Sequence, residues 1–369
     1  MNFAAPPPDR GTIAEAEVAA SVGLGLLPGV GPRTIRRWLD AAGSAEAVWQ
    51  MLPGLLGARA DRDEVLAAWR SADPGTVVGT ARAKGMAVIA FADPAYPSRL
   101  RAIPDPPPAL YVRGRLDEAA AVAIVGSRRA TPYGRAAAER LAYDLALAGV
   151  TVVSGLARGI DGAAHQAALE AGGRTVGVLG CGVDVVYPRE HRRLAAAVAA
   201  SGALVSEFSP GTPPLPGHFP RRNRLISGLA LGVVVVEGTE DSGALVTVEY
   251  ALDQGREVFA VPGSIFSPRS RAPHALLREG ARVVERVEDI VHELGLQTAR
   301  PRAVDIAPGD EARLLALLEA GPRQVDDLVE ASGLPAPRIA ALITTLEVRG
   351  LVRTLPGQMV MQTPRGVRR

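Results

Sequence analysis

The chain has 369 residues, of which 47% are hydrophobic and 22% charged, and its formal net charge is only +2. This composition excludes a wholly disordered protein and predicts two or three domains at roughly 100–200 residues each. The longest strongly apolar stretch, residues 229–236, is too short to span a bilayer, and the first residues lack the pattern of a secretory signal.

Lysine and cysteine are almost absent. Lys84 is the only lysine among 41 basic residues, which excludes a P-loop and nearly excludes a lysine Schiff base. A single cysteine, Cys181, forms no internal disulfide and no multi-cysteine zinc site. We therefore expect a cytoplasmic protein that has no membrane contact and needs no metal.

Residues 1–70 have helical character. The segment LPGVGPRTIRRWL at 27–39 resembles a helix-hairpin-helix turn, as in SAM/helix-hairpin-helix-like domains, where glycines bring backbone N–H groups close to a phosphate. A small helical domain for protein contacts, closed by the same turn, fits equally well. The tryptophans are predicted to be core residues of this segment: Trp38, Trp49 and Trp69.

Residues 71–295 are predicted to form a Rossmann-like domain with a parallel sheet. After short lead-in strands at 88–92 and 110–112, apolar segments alternate with helical ones. The predicted strands are 121–125, 151–153, 175–179, 203–205, 231–236 and 258–261, and the predicted helices between them are 134–148, 162–171, 189–200, 225–230 and 245–254. Strands that are apolar on both faces indicate an α/β sheet covered by helices on both sides.

The C-terminal region is predicted to be a winged helix. A linker at 296–309 precedes it, and Asp310 is a candidate N-cap for a helix at 311–319. Further helices at 324–331 and 337–349 and a hairpin of strands 351–355 and 358–361 complete a domain over 310–362. The last segment, 363–369, is predicted to be a flexible tail.

Ligands of parallel sheets bind at the carboxyl ends of the strands, so we expect the functional residues in the loops that follow the strands. The strand at 121–125 ends in Gly126, Ser127, Arg128 and Arg129, just before a helix. Glycine admits a ligand close to the backbone, and arginine donates in a fork suited to phosphate. We favour an anion site here over a plain turn with surface arginines.

The next strand ends in SGLARGIDGAAH. Gly155 and Gly159 keep this loop free of bulk, and Arg158 is placed to reach a phosphate. Asp161 and His165 lie one helical turn apart. Because no further ligand is spaced nearby, we interpret Asp161 as a cap and His165 as a structural or phosphate-facing residue rather than a metal or acid–base pair.

A third loop, GHFPRRNRLISGLA at 217–230, holds the densest basic cluster. It contains one aromatic residue among arginines: His218, Phe219, Arg221, Arg222, Asn223 and Arg224. A base can stack on such a ring while guanidinium groups follow the backbone of a single strand. The alternative is a capped helix start with a buried Phe219.

A fourth loop, EGTEDSGALVT at 237–247, either binds a phosphate in a polar nest around Ser242 or caps a helix. The usual enzyme signatures are missing, since the sequence has no GxGxxG, GxSxG or HExxH. Glu207, Glu237 and Glu249 are conceivable catalytic carboxylates, but no spacing distinguishes them.

Several of these segments together resemble one family. VAIVGSRRATPYG, VVSGLARGIDGAAH, FPRRNRLISGLA and SGALVT…ALDQGREVFAVPG occur in the order found in the DNA-processing protein DprA (Smf) family, with DPAYPSRL and IPDPPPALYVRG as its lead-in. The likeness is dense over about residues 85–295. SGALVTVEYAL departs modestly from the family pattern, which leaves the role of Ser242 open.

The resemblance implies a mediator of recombination in natural transformation rather than an enzyme. Such a protein binds incoming single-stranded DNA, displaces single-strand-binding protein, loads RecA recombinase and acts as a homodimer through the sheet domain, without cofactor or metal. By motif position, the implied DNA-binding residues are Ser127, Arg128, Arg129, Gly155, Arg158, Gly159, Phe219, Arg221, Asn223 and Arg224. Arg222 has a weaker claim.

Two other functions are considered. The sheet domain is similar in outline to nucleotide phosphoribohydrolases, but their Pro-Gly-Gly-x-Gly-Thr signature is missing and Glu237-Gly238-Thr239 is at best a remnant. A transcription regulator would read duplex DNA through the helix at 337–349, which offers only Arg338 and Arg349 as bases. A winged helix used for protein contact fits this helix better.

Overall fold

The computed structural model describes residues 13–297, 309–319, 321–355 and 357–363. The predicted linker at 296–309 and tail at 363–369 therefore lie largely outside the described residues. The chain forms an N-terminal helical region, a large α/β sheet domain and a C-terminal winged helix, which confirms the predicted fold class. No described helix is long and apolar enough to cross a membrane.

The N-terminal region consists of five helices and continues past the predicted boundary at residue 70. They are α1 (Glu15–Leu26), α2 (Pro32–Ala42), α3 (Ala45–Leu55), α4 (Arg62–Ser71) and α5 (Pro74–Ala83). Trp49 and Trp69 meet edge to face, with ring centroids 6.2 Å apart, and all three tryptophans pack against the helical core. The tryptophans are thus packing residues, as expected.

The central sheet has nine strands in the order β1-β2-β6-β5-β4-β3-β7-β8-β9. The strands are β1 (Ala87–Ala90), β2 (Ala109–Gly114), β3 (Ala121–Val125), β4 (Thr151–Ser154), β5 (Thr175–Val178), β6 (Ala203–Ser206), β7 (Gly232–Val235), β8 (Glu257–Ala260) and β9 (Arg282–Val283). Strands β1 and β2 are antiparallel to their neighbours, and the other seven are mutually parallel.

The helices of the sheet domain cover both faces. They are α6 (Ser98–Arg101), α7 (Pro132–Leu147), α8 (Ile160–Glu170), α9 (Arg192–Ser201), α10 (His218–Leu229), α11 (Gly243–Asp253), α12 (Arg271–Arg278) and α13 (Val287–Glu293). In β3, Ala123 packs into the core on one face while Val122 and Ile124 pack into the core on the other. This alternation is why the strand sequences are apolar throughout.

One predicted loop is a helix. Residues 218–229, interpreted above as a basic loop with a helix only at 225–230, form α10 over their whole length. Pro220 lies in the first turn, where a missing N–H is tolerated, and Leu225, Ile226 and Leu229 form its buried face. The helix start that was the alternative for this segment is therefore present, at His218.

The winged helix contains α14 (Asp310–Leu318), α15 (Val325–Ser332), α16 (Ala336–Val348) and a three-stranded sheet of β10 (Arg323–Gln324), β11 (Val352–Leu355) and β12 (Met359–Gln362). The expected N-cap at Asp310 is wrong: Gly309 is the N-cap, and Asp310 pairs with Arg338 at 2.8 Å. The wing contacts the sheet domain, because Arg353 forms an ion pair with Glu139 of α7 at 2.9 Å.

Candidate nucleic-acid interface

The loop after β3 lies beside the point where the strand order reverses, between β3 and β7, and it interlocks with the loop after β4. From β3 the chain continues to β4 on one side, whereas β7 lies on the other side, and ligands of such sheets bind at this switch point. The amide of Ile160 donates to Ser127 O at 3.2 Å. Gly159 has φ +76°, and a Cβ there would collide with the backbone of Ser127 and Arg128. Only glycine therefore lets the two loops meet.

Arg128 and Arg129 lie on the outside of this junction. Both are exposed, and neither forms an ion pair with a carboxylate in the described part of the chain. The Ser127 hydroxyl accepts the amide of Arg129 at 3.1 Å, which fixes the turn. The two guanidinium groups are thus free to bind an anion.

An aromatic platform adjoins the free arginines. The guanidinium of Arg128 lies 5.2 Å from the ring centroid of Phe219, and the ring of Tyr187 lies 5.5 Å from the same ring. Phe219 is half-buried and Tyr187 is 40% exposed. The helix start of the alternative is present, but Phe219 is only half-buried, so part of the residue remains exposed beside Arg128 and Tyr187.

A cavity of about 360 Å³ opens beside this platform. Its polar and aromatic lining comes from the loops after β3 and β5 and from the first two turns of α8, α10 and α11: Arg128, Asp161, Tyr187, Phe219, Arg222, Asn223 and Thr247. Asn223 donates to Gly243 O at 3.2 Å and so ties α10 to α11. The cavity therefore lies between parts of the chain that are distant in sequence.

Arg222 forms the floor of this cavity. It is 4% exposed, donates to Gly155 O at 2.8 Å and to Val178 O, and forms no ion pair with a carboxylate among the residues described. Burial lowers the pKa of Arg222 to about 10, although the nearby charge of Asp161 acts against this. A buried cation that is held only by neutral acceptors favours an anion above it.

Asp161 and His165 have structural roles, but the expected helix cap at Asp161 is wrong, because α8 begins at Ile160 with Gly159 as its N-cap. The Asp161 carboxylate accepts the amides of Gly155 at 3.1 Å and Ala157 at 3.3 Å, which holds the loop after β4. Burial raises the pKa of Asp161, against the opposing charge of Arg222. His165 is fully buried, with Nδ1 2.6 Å from Thr175 Oγ1. Burial lowers the pKa of His165 to about 3, so its ring is neutral and not placed for catalysis.

Neither Arg224 nor Arg221 lines the cavity: Arg224 is buried in the interior, and Arg221 lies at the surface. Arg224 is 1% exposed and makes a bidentate ion pair with Glu207, with N–O distances of 2.7 and 2.9 Å. Its Nε lies 3.2 Å from the carboxylate of Asp105. Arg221 also binds Glu207, at 2.7 Å, but is half exposed. The resemblance implies that Arg224 shapes or lines the groove; its interior side chain excludes lining and leaves a shaping role through its ion pairs with Glu207 and Asp105.

Arg158 reaches the surface near the cavity and pairs with Glu190. Both side chains of this pair are largely exposed, so solvent and an incoming phosphate compete with it. Gly155 leaves space that its neighbours fill: a Cβ there would lie 2.6 Å from Arg222 Nη2 and 2.7 Å from Asp161 Oδ2. Gly155 thus allows the floor of the cavity to close.

The fourth loop serves the scaffold. Glu237 is buried and accepts both the amide of Thr131, at 2.9 Å, and its hydroxyl, which fixes the start of α7. Ser242 Oγ accepts the amide of Ala244 at 3.3 Å. Of the two alternatives for this loop, the structure therefore favours the helix cap over the phosphate nest.

The helix-hairpin-helix turn is blocked on one side. Gly29 has φ +67°, and a Cβ there would collide with the carboxylate of Asp61, which pairs with Arg59 at 2.7 Å. Arg36 is turned toward Asp40 and lies 5.0 Å from the ring of Phe91. A carboxylate at the turn disfavours phosphate, so protein contact is the better interpretation of this segment.

The described residues contain no group of three or more His, Cys, Asp or Glu that could hold a metal ion. Cys181 is buried, and burial raises the pKa of its thiol to about 11, so the reactive thiolate is not formed at neutral pH. Three site residues escaped the sequence reasoning: Tyr187, Glu207 as a buried partner, and Arg222 as the cavity floor. Only the position of Arg222 within α10 offered a signal, at helical spacing from the apolar Leu225 and Ile226.

Two family patterns match the chain. "DNA recombination-mediator protein A" matches residues 87–295, and "DprA winged helix domain" matches residues 297–358. Protein Smf of Escherichia coli is 44% identical over 280 residues, which cover 72% of this chain and 74% of that protein. The DNA processing protein DprA of Bacillus subtilis is 44% identical over 221 residues, covering 59% and 74%.

Solved structures agree with these matches. The X-ray structure of DNA processing protein A from Streptococcus pneumoniae superposes with a TM-score of 0.68 at 35% identity, covering 76% of this chain and 98% of that one. DNA processing protein A from Helicobacter pylori, whose structure concerns its single-stranded DNA binding mode, superposes with a TM-score of 0.50 at 30% identity, covering 54% and 92%.

Proposed function

The chain belongs to the DNA recombination-mediator protein A (DprA/Smf) family, and from that premise we propose that it protects incoming single-stranded DNA and loads RecA recombinase onto it during natural transformation. The family gives the chain a role in DNA recombination and transformation. The observation that carries the proposal is the pair of unpaired arginines, Arg128 and Arg129, beside the stacked Phe219 at the switch point of the sheet.

The geometry supports binding of a single strand by its backbone and bases together. Arg128 and Arg129 bind phosphate, while Phe219 and Tyr187 accept a base on their faces. Duplex DNA keeps its bases stacked inside the helix, so this platform favours unpaired strands. Stacking accepts any base, and we expect weak sequence preference.

The buried cation strengthens the same site without touching the surface. Arg222 at the floor of the cavity adds a buried positive charge, which the neighbouring carboxylate of Asp161 partly offsets. Gly155, Gly159 and Asn223 hold the loops and helices around it. Arg158 and Arg221 remain candidates for phosphate contact at the rim, whereas Arg224 supports α10 from inside.

A salt titration of oligonucleotide binding tests the proposal. Fluorescence anisotropy with a labelled single strand is measured for the wild type, Arg128→Ala and Phe219→Ala. Arg278→Ala is the matched control, because Arg278 is exposed and forms no ion pair among the described residues. It lies at the end of α12, away from the carboxyl ends of the strands. We expect Arg128→Ala to weaken binding and to reduce the slope of log K against log salt by about 0.7. Phe219→Ala should weaken binding about fivefold or more with the slope unchanged.

Two results would contradict the proposal: Arg278→Ala reducing the slope as much as Arg128→Ala, or both site variants binding like the wild type. Loading of RecA is tested separately, by RecA-dependent strand exchange on DNA coated with single-strand-binding protein. We expect the wild type to stimulate the reaction and Phe219→Ala to fail.

We further infer a cytoplasmic homodimer without catalytic turnover. Glu207 and Glu237, two of the carboxylates considered for catalysis, are already bound by Arg224 and Thr131, and Glu249 is exposed on α11. Strand β9 has no partner on its outer side among the described strands, which leaves an edge of the sheet for a second copy. Light scattering tests the dimer, and incubation with a nucleoside monophosphate tests turnover, since release of free base would support the phosphoribohydrolase alternative.

A further inference from the structure

The loop after β8 exposes two large apolar side chains next to each other. Ile265 is 83% exposed and Phe266 is 89% exposed, the highest value among the large hydrophobic side chains that the structure describes. An isolated exposed apolar residue is ordinary, but an adjacent pair at the tip of a loop indicates a contact surface.

This loop is held in place by hydrogen bonds at its base and within its turn. The hydroxyl of Tyr133 donates to Pro262 O at 2.5 Å, and the ring of His274 contacts Gly263 O at 3.1 Å. The amide of Phe266 donates to Ser264 Oγ at 3.2 Å. The exposure of Phe266 therefore belongs to a defined turn that presents the ring to solvent.

The loop lies at the same edge of the sheet as the candidate interface. Strand β8 neighbours β7, which neighbours β3, and their carboxyl ends point the same way. A cavity of about 540 Å³ separates the loop from the start of α7, with Thr131 and Tyr133 on one side and Ser264 and Ser267 on the other. The cavity therefore reaches from Thr131, two residues after Arg129, to Ser264, two residues before Phe266, with the buried Glu237 also in its lining.

The charge of the two loops suits a polyanion. Residues 262–271 include Arg269 and Arg271 and no acidic residue, and residues 126–131 include Arg128 and Arg129 and no acidic residue. None of the four forms an ion pair within the described ranges; Arg271 is exposed and Arg269 is half-buried. The intervening loop after β7 carries the exposed Glu240 and Asp241, so phosphates are expected to follow the arginine-bearing loops and avoid this one.

We propose that Ile265 and Phe266 form a second single-strand subsite, on which bases stack after leaving the platform of Phe219 and Tyr187. This inference rests on the function proposed above, because it extends the path of the same strand. Four strand spacings separate β5, whose loop bears Tyr187, from β8, which is about 19 Å at roughly 4.8 Å each. At roughly 3.4 Å per stacked nucleotide, a strand covers this path with about six nucleotides.

Oligonucleotide length separates the two subsites. Anisotropy is measured with labelled oligothymidylates of about 4 and about 12 nucleotides, lengths below and above the estimated span. For Phe266→Ala we expect unchanged affinity for the short strand and a loss of about fivefold or more for the long strand. Phe219→Ala should weaken both. Leu252→Ala is the matched control, since Leu252 is 63% exposed near the end of α11, away from the strand ends.

A cross-linking measurement checks contact directly. A strand of about 12 nucleotides carrying 5-iododeoxyuridine near either end is irradiated with the wild-type protein, and the peptides are identified by mass spectrometry. We expect a cross-link within residues 262–271 that is absent in Phe266→Ala. Because Phe266 packs against little else, the variant should keep the wild-type melting temperature.

The outcomes distinguish this inference from the proposed function. If the wild type binds neither strand, or if Phe219→Ala binds both strands as tightly as the wild type, the proposed function and this inference are both overturned. If Phe266→Ala binds the long strand with wild-type affinity and the wild-type protein gives no cross-link within residues 262–271, only the second subsite is overturned. Loss of long-strand binding together with a halved mass in light scattering also overturns it, because the loop would then join two copies of the chain.

Discussion

The ion network behind α10 makes a quantitative prediction about Arg224. Arg224 and Glu207 are 1% and 2% exposed, and their bidentate pair is the most deeply buried ion pair that the structure describes. Glu207 also binds Arg221, and Arg224 also lies near Asp105. If this network only supports the helix, its loss should change stability and leave DNA binding alone.

The two partners should differ in cost. Glu207→Gln keeps the shape but leaves the buried guanidinium with only Asp105, so we expect the free energy of unfolding to fall by about 3–5 kcal/mol. For a domain of roughly 200 residues that lowers the melting temperature by about 6–20 °C. Arg224→Met leaves Glu207 paired with Arg221 and should cost less, about 3 kcal/mol or below. The double variant should lose less than the sum of the two.

Urea unfolding and single-strand anisotropy, both at a temperature where every variant is folded, form the assay. We expect Arg224→Met to bind the oligonucleotide within about twofold of the wild type, because the guanidinium does not reach the surface. An Arg224→Met protein of wild-type stability that no longer binds DNA would refute this reasoning and restore Arg224 to the interface.

Two further predictions concern the loop junction and the buried histidine. Gly159→Ala should weaken single-strand binding, because the added Cβ displaces Ser127 and Arg128. Gly172→Ala is the control: Gly172 has a similar φ of +71° but nothing within 4 Å of an added Cβ, so the change should cost only about 1–2 kcal/mol of stability. Equal DNA affinity of the two variants would contradict the clash. His165 has a folded pKa of about 3, well below 6.5, so its stabilising contribution is complete above pH 6.5 and is lost as the pH falls and the unfolded chain binds the proton. The free energy of unfolding should drop by about 2 kcal/mol from this residue by pH 5, and His165→Gln should remove that part of the pH dependence in urea titrations.

The sheet was accessible from the sequence because its strands are buried on both faces. Predicted strand 121–125 coincides with β3, and the other central strands differ by one or two residues. The two-residue β9 escaped because its residues, Arg282 and Val283, are exposed and carry no apolar alternation. Helix α5 was missed because Gly75 and Gly79 interrupt its pattern.

The candidate site was only partly accessible, because charge pairing is a tertiary property. Arg128 and Arg224 look alike in sequence, yet one is exposed and the other is enclosed with Glu207, which lies 17 residues away. No local pattern reports that Glu207 is buried, since its strand ends one residue earlier. Motif position identified the segment but could not separate surface arginines from interior ones.

This separation changes the expected electrostatics of binding. If all five arginines implied by the family motifs contacted phosphate, log K would fall with log salt with a slope of about −3.5, at 0.7 per contact on a single strand. Of these five, only Arg128 and Arg129 are free of a carboxylate partner among the described residues, which lowers the slope expected from this group of arginines to about −1.4. Arg158 can exchange Glu190 for a phosphate because the pair is exposed, which brings the slope to about −2, whereas Arg221 is held by a buried carboxylate. A slope near −3.5 that persists when Arg269 and Arg271 are both replaced by alanine would therefore mean that the pairs of Arg221 and Arg224 open when DNA binds, and that the surface described here is not the one that meets the strand.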